Sequence, residues 1–190
     1  IYLYRRNKTG ICIDRVYGHD GIVELPETLE GLPVTELGAY IFSDHIDRGD
    51  LEKCRMSGKF CTEDGLEVQD EEGMPEMSGN AVQELILPSK LRKVGRYAFY
   101  NCFHLKKLSF GGDLRDVGVG AMTGCHKIER VTVKTDENGD SCLRDILTEL
   151  PETLRVDMDK NGEQGRFWFP EFFEEGVENT PARIIENHVH

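Results

Sequence analysis

Three places in the chain hold residue types at spacings that could do chemistry. Asp157, Asp159 and Asn161, alternating and followed by Gly162, match the first half of a calcium loop, where successive oxygens converge on a hard cation and glycine permits the turn. The twelfth position of such a loop is Trp168 instead of a bidentate glutamate, and no helical pattern precedes it. The stretch reads instead as the polar turn of a β-hairpin, with strands over 154–158 and 166–169 around residues 160–165. His188 and His190 would share a metal only on a strand, because i and i+2 diverge on a helix, and the pattern around them is helical. Cys102 and Cys125 raise the question of a redox pair or a metal site. No C-x-x-C occurs in the chain, and these thiols read as small hydrophobes in tight interior slots, reduced and buried. Nucleophilic catalysis has no foothold either: there is no Gly-x-Ser-x-Gly, no His-Glu-x-x-His and no glycine-rich phosphate loop. Gly111-Gly112 and Gly118-x-Gly120 fall at turns, where positive φ accounts for them. No catalytic residue, metal or cofactor is assigned, and the chain is expected not to be an enzyme.

The elements that would position any site come from patterning. At 190 residues with 38% hydrophobic side chains, the chain can bury a sizeable core. No apolar run approaches the roughly 18 to 20 residues of a membrane span, so no membrane insertion is expected. A leader is either absent or already removed. The net charge of −12 argues against nucleic acid as a partner. Charge is unevenly spread, however. Residues 84–134 hold ten Lys or Arg against four acids, a net +6, so the remainder carries −18. Six cysteines in a chain of this size do not require a disulfide frame, and buried thiols favour a reducing compartment, the cytoplasm over the cell surface.

Aligning residues 84–106 with 107–129 gives seven identities: Leu85/Leu108, Leu91/Leu114, Arg92/Arg115, Val94/Val117, Gly95/Gly118, Ala98/Ala121 and Cys102/Cys125. A fixed period in this range is the mark of a stacked solenoid. An apolar triple with spacing of three and then two recurs as Leu51, Cys54, Met56; Val82, Leu85, Leu87; Leu105, Leu108, Phe110; and Ile128, Val131, Val133. The last two of each triple share one strand face, which predicts parallel strands near 85–87, 108–110 and 131–133. Residues 59–81 interrupt this rhythm with an acidic stretch and read as a loop or mobile hairpin. After 134 the pattern ends. Ser141 caps a helix that Pro151 stops and that is placed to cover the open end of the stack; a hairpin and a second helix from Thr180-Pro181 follow. That helical pattern runs to the terminus, which predicts that the natural protein continues.

Residues 87–102, LPSKLRKVGRYAFYNC, resemble the BspA-type leucine-rich repeat, whose units run apolar-Pro, Val, Ile-Gly, Ala-Phe and Cys. Leu25-Pro26 through Leu37-Gly38, with Tyr40 and Phe42, are similar to a first unit carrying a longer Gly-x-Pro-Val-Thr connection. The resemblance covers about 20–58 and 82–134, and departs from the pattern at Gly111-Gly112 and Met122. It implies an α/β, leucine-rich-repeat-like right-handed solenoid over 1–134 with an α+β extension over 135–190. It also implies protein binding or adhesion.

Alternation turns the neighbours of the inward residues outward: Lys53 and Arg55, Glu84 and Ile86, Lys107 and Ser109, Arg130 and Thr132. Four of these eight are basic. On stacked strands they form a positive ribbon suited to an anionic protein partner, or a landing site for the acidic 63–76 loop. The expected function is a non-enzymatic interaction module presenting this face. The alternative is a scaffold within a larger intracellular regulatory protein whose functional unit starts in the extension. A calcium-dependent or hydrolytic extension is a third reading, and the oligomeric state is open.

Overall fold

A computed structural model describes residues 1–135, 146–147, 149–150, 154–160 and 163–169. In chain order the elements are β1 (Tyr2–Arg6), β2 (Ile11–Val16), β3 (Ile22–Glu24), β4 (Thr28–Leu29), β5 (Leu32–Leu37), α1 (Arg48–Ser57), β6 (Lys59–Cys61), β7 (Glu67–Val68), β8 (Glu84–Ile86), β9 (Lys93–Val94), β10 (Lys107–Gly111), β11 (Asp116–Val117), β12 (Arg130–Thr135), β13 (Leu154–Lys160) and β14 (Glu163–Phe169). Strands outweigh helices: among the described residues α1 is the one long helix, against the α/β balance expected.

In the six-stranded sheet β10, β12 and β13 alternate apolar with polar side chains, which gives each a buried and an outward face. From β3 to β13 the strands are parallel, with Val23, Leu85, Leu108, Val131 and Val156 side by side and buried. Glu84 lies beside Lys107 and Lys107 beside Arg130, the spacing that the sequence offset demands. The next strand, β13, enters in parallel register with Arg155 beside Arg130, and β14 returns antiparallel as the expected hairpin. The sheet therefore continues past residue 134, where the repeat pattern in the sequence stops.

A second sheet runs β11-β9-β5-β2-β1-β6-β7, with Leu37, Val94 and Val117 in register on β5, β9 and β11. Between the sheets the chain loops stack on one another. Tyr40 N–H donates to Arg96 O (3.1 Å) and Phe42 N–H to Ala98 O (2.9 Å); one layer on, Tyr97 N–H reaches Val119 O (3.0 Å) and Phe99 N–H reaches Ala121 O (2.9 Å). The Phe42 and Phe99 rings stack with centroids 6.0 Å apart. One continuous apolar cluster fills the space, from Tyr4 and Ile13 through Leu91 and Leu105 to Val156 and Met158. Close stacking also explains two glycines differently from the turn argument. A Cβ on Gly118 would sit on the Arg96 backbone nitrogen, and one on Gly111 would lie 2.6 Å from Ser89 O, so these positions need the absence of a side chain; of Gly111, Gly112, Gly118 and Gly120, positive φ belongs to Gly120.

The strand expected at 51–56 is a helix. Asp47 Oδ1 accepts the Asp50 N–H (3.0 Å) at the start of α1, and Gly58 N–H donates to Cys54 O (2.9 Å) at its end. The spacing of Leu51 and Cys54 suits one face of a helix as well as a strand and its approach, and the caps decide between them. Leu51 is buried in a small cluster with Leu3, Tyr17, Ile46 and Phe60, whereas Met56 is 81% exposed. The strand that does flank β8 is β3. The acidic stretch that follows α1 forms β6 and β7, a short antiparallel addition beside β1. Arg55, one of the residues expected in the ribbon, bonds Glu71 (2.7 Å) and Arg48 bonds Glu76 (2.9 Å), so this segment lands on arginines of α1 and not on the sheet face.

Candidate sheet-face site

The outward face of the six-stranded sheet gathers six of the eight residues expected there. Glu84, Lys107 and Arg130 form one row and Ile86, Ser109 and Thr132 the next, with strands roughly 4.8 Å apart. Lys53 and Arg55 do not join them. Both lie on α1, where Lys53 stands 3.9 Å from Asp50 and Arg55 caps the Phe60 ring at 5.4 Å as well as binding Glu71. The loss of these two cations is the cost of reading a helix as a strand.

The face gains others that sequence reasoning missed. Register carries the first row on to Arg155 and the second to Asp157, with Arg166 of β14 opposite Asp157 and Lys134 beside Asp159. The alternation Leu154, Arg155, Val156, Asp157, Met158 reads as a strand, as expected, but gives no clue to its neighbour, and that pairing with β12 is what the sequence did not signal.

Asp157 is the hub. Its carboxylate accepts from Arg130 Nε (2.8 Å), Arg155 Nε (3.0 Å) and Arg166 Nε (2.9 Å). Partial burial works against ionisation, yet hydrogen bonds from Arg155 and Arg166 and the charge of Arg130 hold this carboxyl below the ordinary aspartate range. The same contacts show why the half-match to a calcium loop is not one: three guanidiniums already surround its first carboxylate. Each arginine engages Asp157 through Nε, which fixes the guanidinium planes and leaves their terminal nitrogens outside those three bonds. Beside the hub is a groove of about 430 Å³, lined in part by Arg130, Thr132, Lys134, Gln164 and Arg166. Such an arrangement has the donors to accept an anionic group; nothing in the described residues points to catalysis.

The cysteines serve packing. Cys102 Sγ donates to Phe42 O (3.3 Å) and Cys125 Sγ to Phe99 O (3.2 Å), so each thiol ties its loop to the layer before it. Both are free and buried, and burial pushes the Cys125 thiol up to about 12 and Cys102 upward too, which suppresses the nucleophilic thiolate. His188, His190, Cys142 and the second helix lie outside the described residues. Among the described residues no group of three or more His, Cys, Asp or Glu is placed to hold a metal, and no helix is long and apolar enough to cross a membrane.

Residues 77–147 match the family model described as BspA type leucine rich repeat region (6 copies), which extends beyond residue 134 and does not include 20–58. No curated protein matches the chain. Among solved structures, a leucine rich cell surface protein from Faecalibacterium prausnitzii is 14% identical with a TM-score of 0.40, covering 84% of this chain and 41% of its own. A leucine rich repeat protein from T. pallidum is 17% identical with a TM-score of 0.36, covering 84% of this chain and 80% of its own. The chain spans about two fifths of the length of the first. The cytoplasmic location favoured by the buried thiols gains no support from these comparisons. With the matching residues supplying β8, β9, β10, β11 and β12, the chain carries a BspA-type leucine-rich repeat region in a leucine-rich-repeat-like fold.

Proposed function

We propose that the chain is a non-enzymatic protein-interaction module, a short solenoid whose outward sheet face receives an acidic surface of a partner protein. The observation that carries this is the basic end of the face: Lys107, Arg130 and Arg155 in one row, with Lys134 and Arg166 around the groove, on a chain of net charge −12. Preorganised arginines bind carboxylates with charge-assisted, fork-like hydrogen bonds, and a local positive field in an acidic protein steers an anionic surface to one place. The entry of β13 beside β12 supports the face, and not a separate unit in the extension, as the working surface.

Charge reversal tests it. With a Glu-rich peptide as the probe, Lys107→Glu and Lys134→Glu should each weaken binding while leaving Tm unchanged, because both side chains are exposed. Arg130→Glu should lower both, since Arg130 also neutralises Asp157. Unchanged probe binding in all three variants reduces the ribbon to solvated surface and ends the proposal.

A further inference from the structure

The opposite edge of the same sheet presents a second surface with different chemistry. β3 is the end strand, with β8 on one side and, among the described residues, no strand on the other. Leu25 N–H donates to Ile86 O (3.0 Å) and Glu84 N–H to Gly21 O (3.1 Å), so the odd-numbered residues of this segment turn their peptide groups toward β8. Ile22 N–H points the other way, to Asp20 Oδ1 (2.9 Å). Alternation along a parallel ladder then leaves the carbonyl of Ile22 and both peptide groups of Glu24 on the open side. A row of this kind is a template for another strand.

A groove of about 530 Å³ runs along that open side. Tyr2, Val16, Val23 and Met77 give it an apolar floor, and Ile22 stands 54% exposed at its margin. Asp20 and Glu24 form one rim; Glu63, Asp64 and Glu72 of the acidic insertion form the other. No Lys or Arg lines it, and the α-ammonium of Ile1, which does, donates to Tyr17 O (2.8 Å). The insertion divides its acids by role. Glu71 and Glu76 are engaged by Arg55 and Arg48, whereas none of the five rim carboxylates makes an ion pair with the described residues. Burial first, then the charges of Glu63, Cys61 and Glu24, push the Tyr2 hydroxyl up to about 12.

We propose that this groove takes an extended, basic segment of a partner protein as an added strand beside β3. Backbone bonds to Ile22 and Glu24 would set the register. Alternate side chains of the segment would place Lys or Arg between the acidic rims and apolar groups on the floor, the usual division of labour in strand addition. The competing account is that the carboxylates only blunt an exposed edge against pairing.

A short, end-capped, fluorescent peptide alternating Lys and Val is the probe, used with the full 190-residue chain. It should bind saturably and lose affinity with salt. A Glu–Val counterpart and a Lys–Val peptide with proline at its centre should each bind about tenfold or more weaker. Hydrogen exchange at the Glu24 amide of the unaltered chain should slow when the Lys–Val peptide is bound. Glu63→Lys with Glu72→Lys should lose about tenfold at unchanged Tm, while Lys107→Glu on the basic face should leave binding intact, which separates this groove from the function proposed above. Equal binding of the proline peptide overturns strand addition. Equal binding of the Glu–Val peptide overturns the basic partner, and absence of saturable binding leaves the edge merely blunted and the proposal refuted.

Discussion

The two ends of the stacked loops are closed by opposite charges. Within the stack each loop donates N–H groups to carbonyls of the next, as Phe42 does to Ala98 and Phe99 to Ala121. A ladder of this kind leaves carbonyls unpaired at its first layer and N–H groups unpaired at its last. At the amino end Arg15 Nη1 donates to Ile41 O (3.0 Å) and Ser43 O (2.7 Å), and to Tyr40 O (2.6 Å). At the carboxyl end Glu149 accepts from Gly120 N–H (3.2 Å) and Met122 N–H (2.6 Å), the groups one repeat beyond Tyr97 and Phe99. A cation thus meets first-layer carbonyls, among them Ile41 O, the counterpart of the acceptor Ala98 O, while Tyr40 O also takes the Ser43 N–H (3.0 Å); an anion meets the orphan N–H groups. The logic is that of helix termini, where the same two kinds of backbone group go unpaired and the same signs of charge are favoured.

The caps differ in depth. Arg15 is 0% exposed and carries a second obligation, with Nη2 3.5 Å from Glu76, which Arg48 also binds. That hub joins β2, the first loop layer and the acidic insertion. Glu149 is only half-buried, and Ile146, Leu147 and Leu150 around it supply the apolar cover. Removing Arg15 should therefore cost most. Arg15→Met leaves three carbonyls without this donor and Glu76 with Arg48 as its remaining cation, a loss of about 3–5 kcal/mol in urea unfolding. A loss below about 1 kcal/mol would show that water replaces the guanidinium and that the amino end needs no cap.

The interior should be next. Gly118→Ala places a methyl group against the Arg96 backbone, so two layers must move apart, at about 2–3 kcal/mol. If its Tm matches the parent, the layers are not held at contact distance and the ladder is looser than the caps require. Glu149→Ala follows, at about 1–2 kcal/mol, because solvent reaches a half-buried end. Glu149→Gln, which retains one acceptor, should recover part of it. Hydrogen exchange at Gly120 and Met122 is the sharper readout: unaltered protection in Glu149→Ala would deny the cap its role.

How legible this was depended on sequence distance. The register of Leu85, Leu108 and Val131 could be read from one 23-residue offset, because nothing intervenes between those layers. The contact of Val23 with Leu85 could not, since α1, β6 and β7 are spliced between the first layer and the second, and an apolar triple at Leu51 offered a decoy of the right spacing. Asp47 and Gly58 held the capping signal that would have exposed the decoy. The basic face was half legible for the same reason. Lys107 and Arg130 followed from the repeat, whereas Arg155 and Arg166 depend on β13 choosing β12 as its neighbour, which no local pattern states. Arg15 was passed over because a strand burying all six of its residues gives an arginine no distinguishing period.

The smallest effect concerns the acidic partners of the arginine hubs. Burial opposes ionisation of Glu76 and of Asp157, yet Arg48 and Arg15 hold the first below its ordinary range, and Arg155, Arg166 and Arg130 hold the second. A carboxyl whose folded pKa is depressed contributes stability that is present above its unfolded value, near 4, and is lost as pH falls through the folded value. The window therefore lies below about pH 4. Asp157→Asn should reduce stability at neutral pH by about 1 kcal/mol or less, as the arginines around it are partly exposed, and the difference from the parent should close as pH falls through that window. Glu76→Gln should show the same closing from a larger starting difference, because its partner Arg15 is fully buried and cannot turn to solvent. Unfolding measured from pH 7 down to pH 3 decides it. A difference that stays constant across the range in both variants would mean that packing, not charge, holds the two hubs, and the contrast between a buried cap and an exposed face would lose its electrostatic basis.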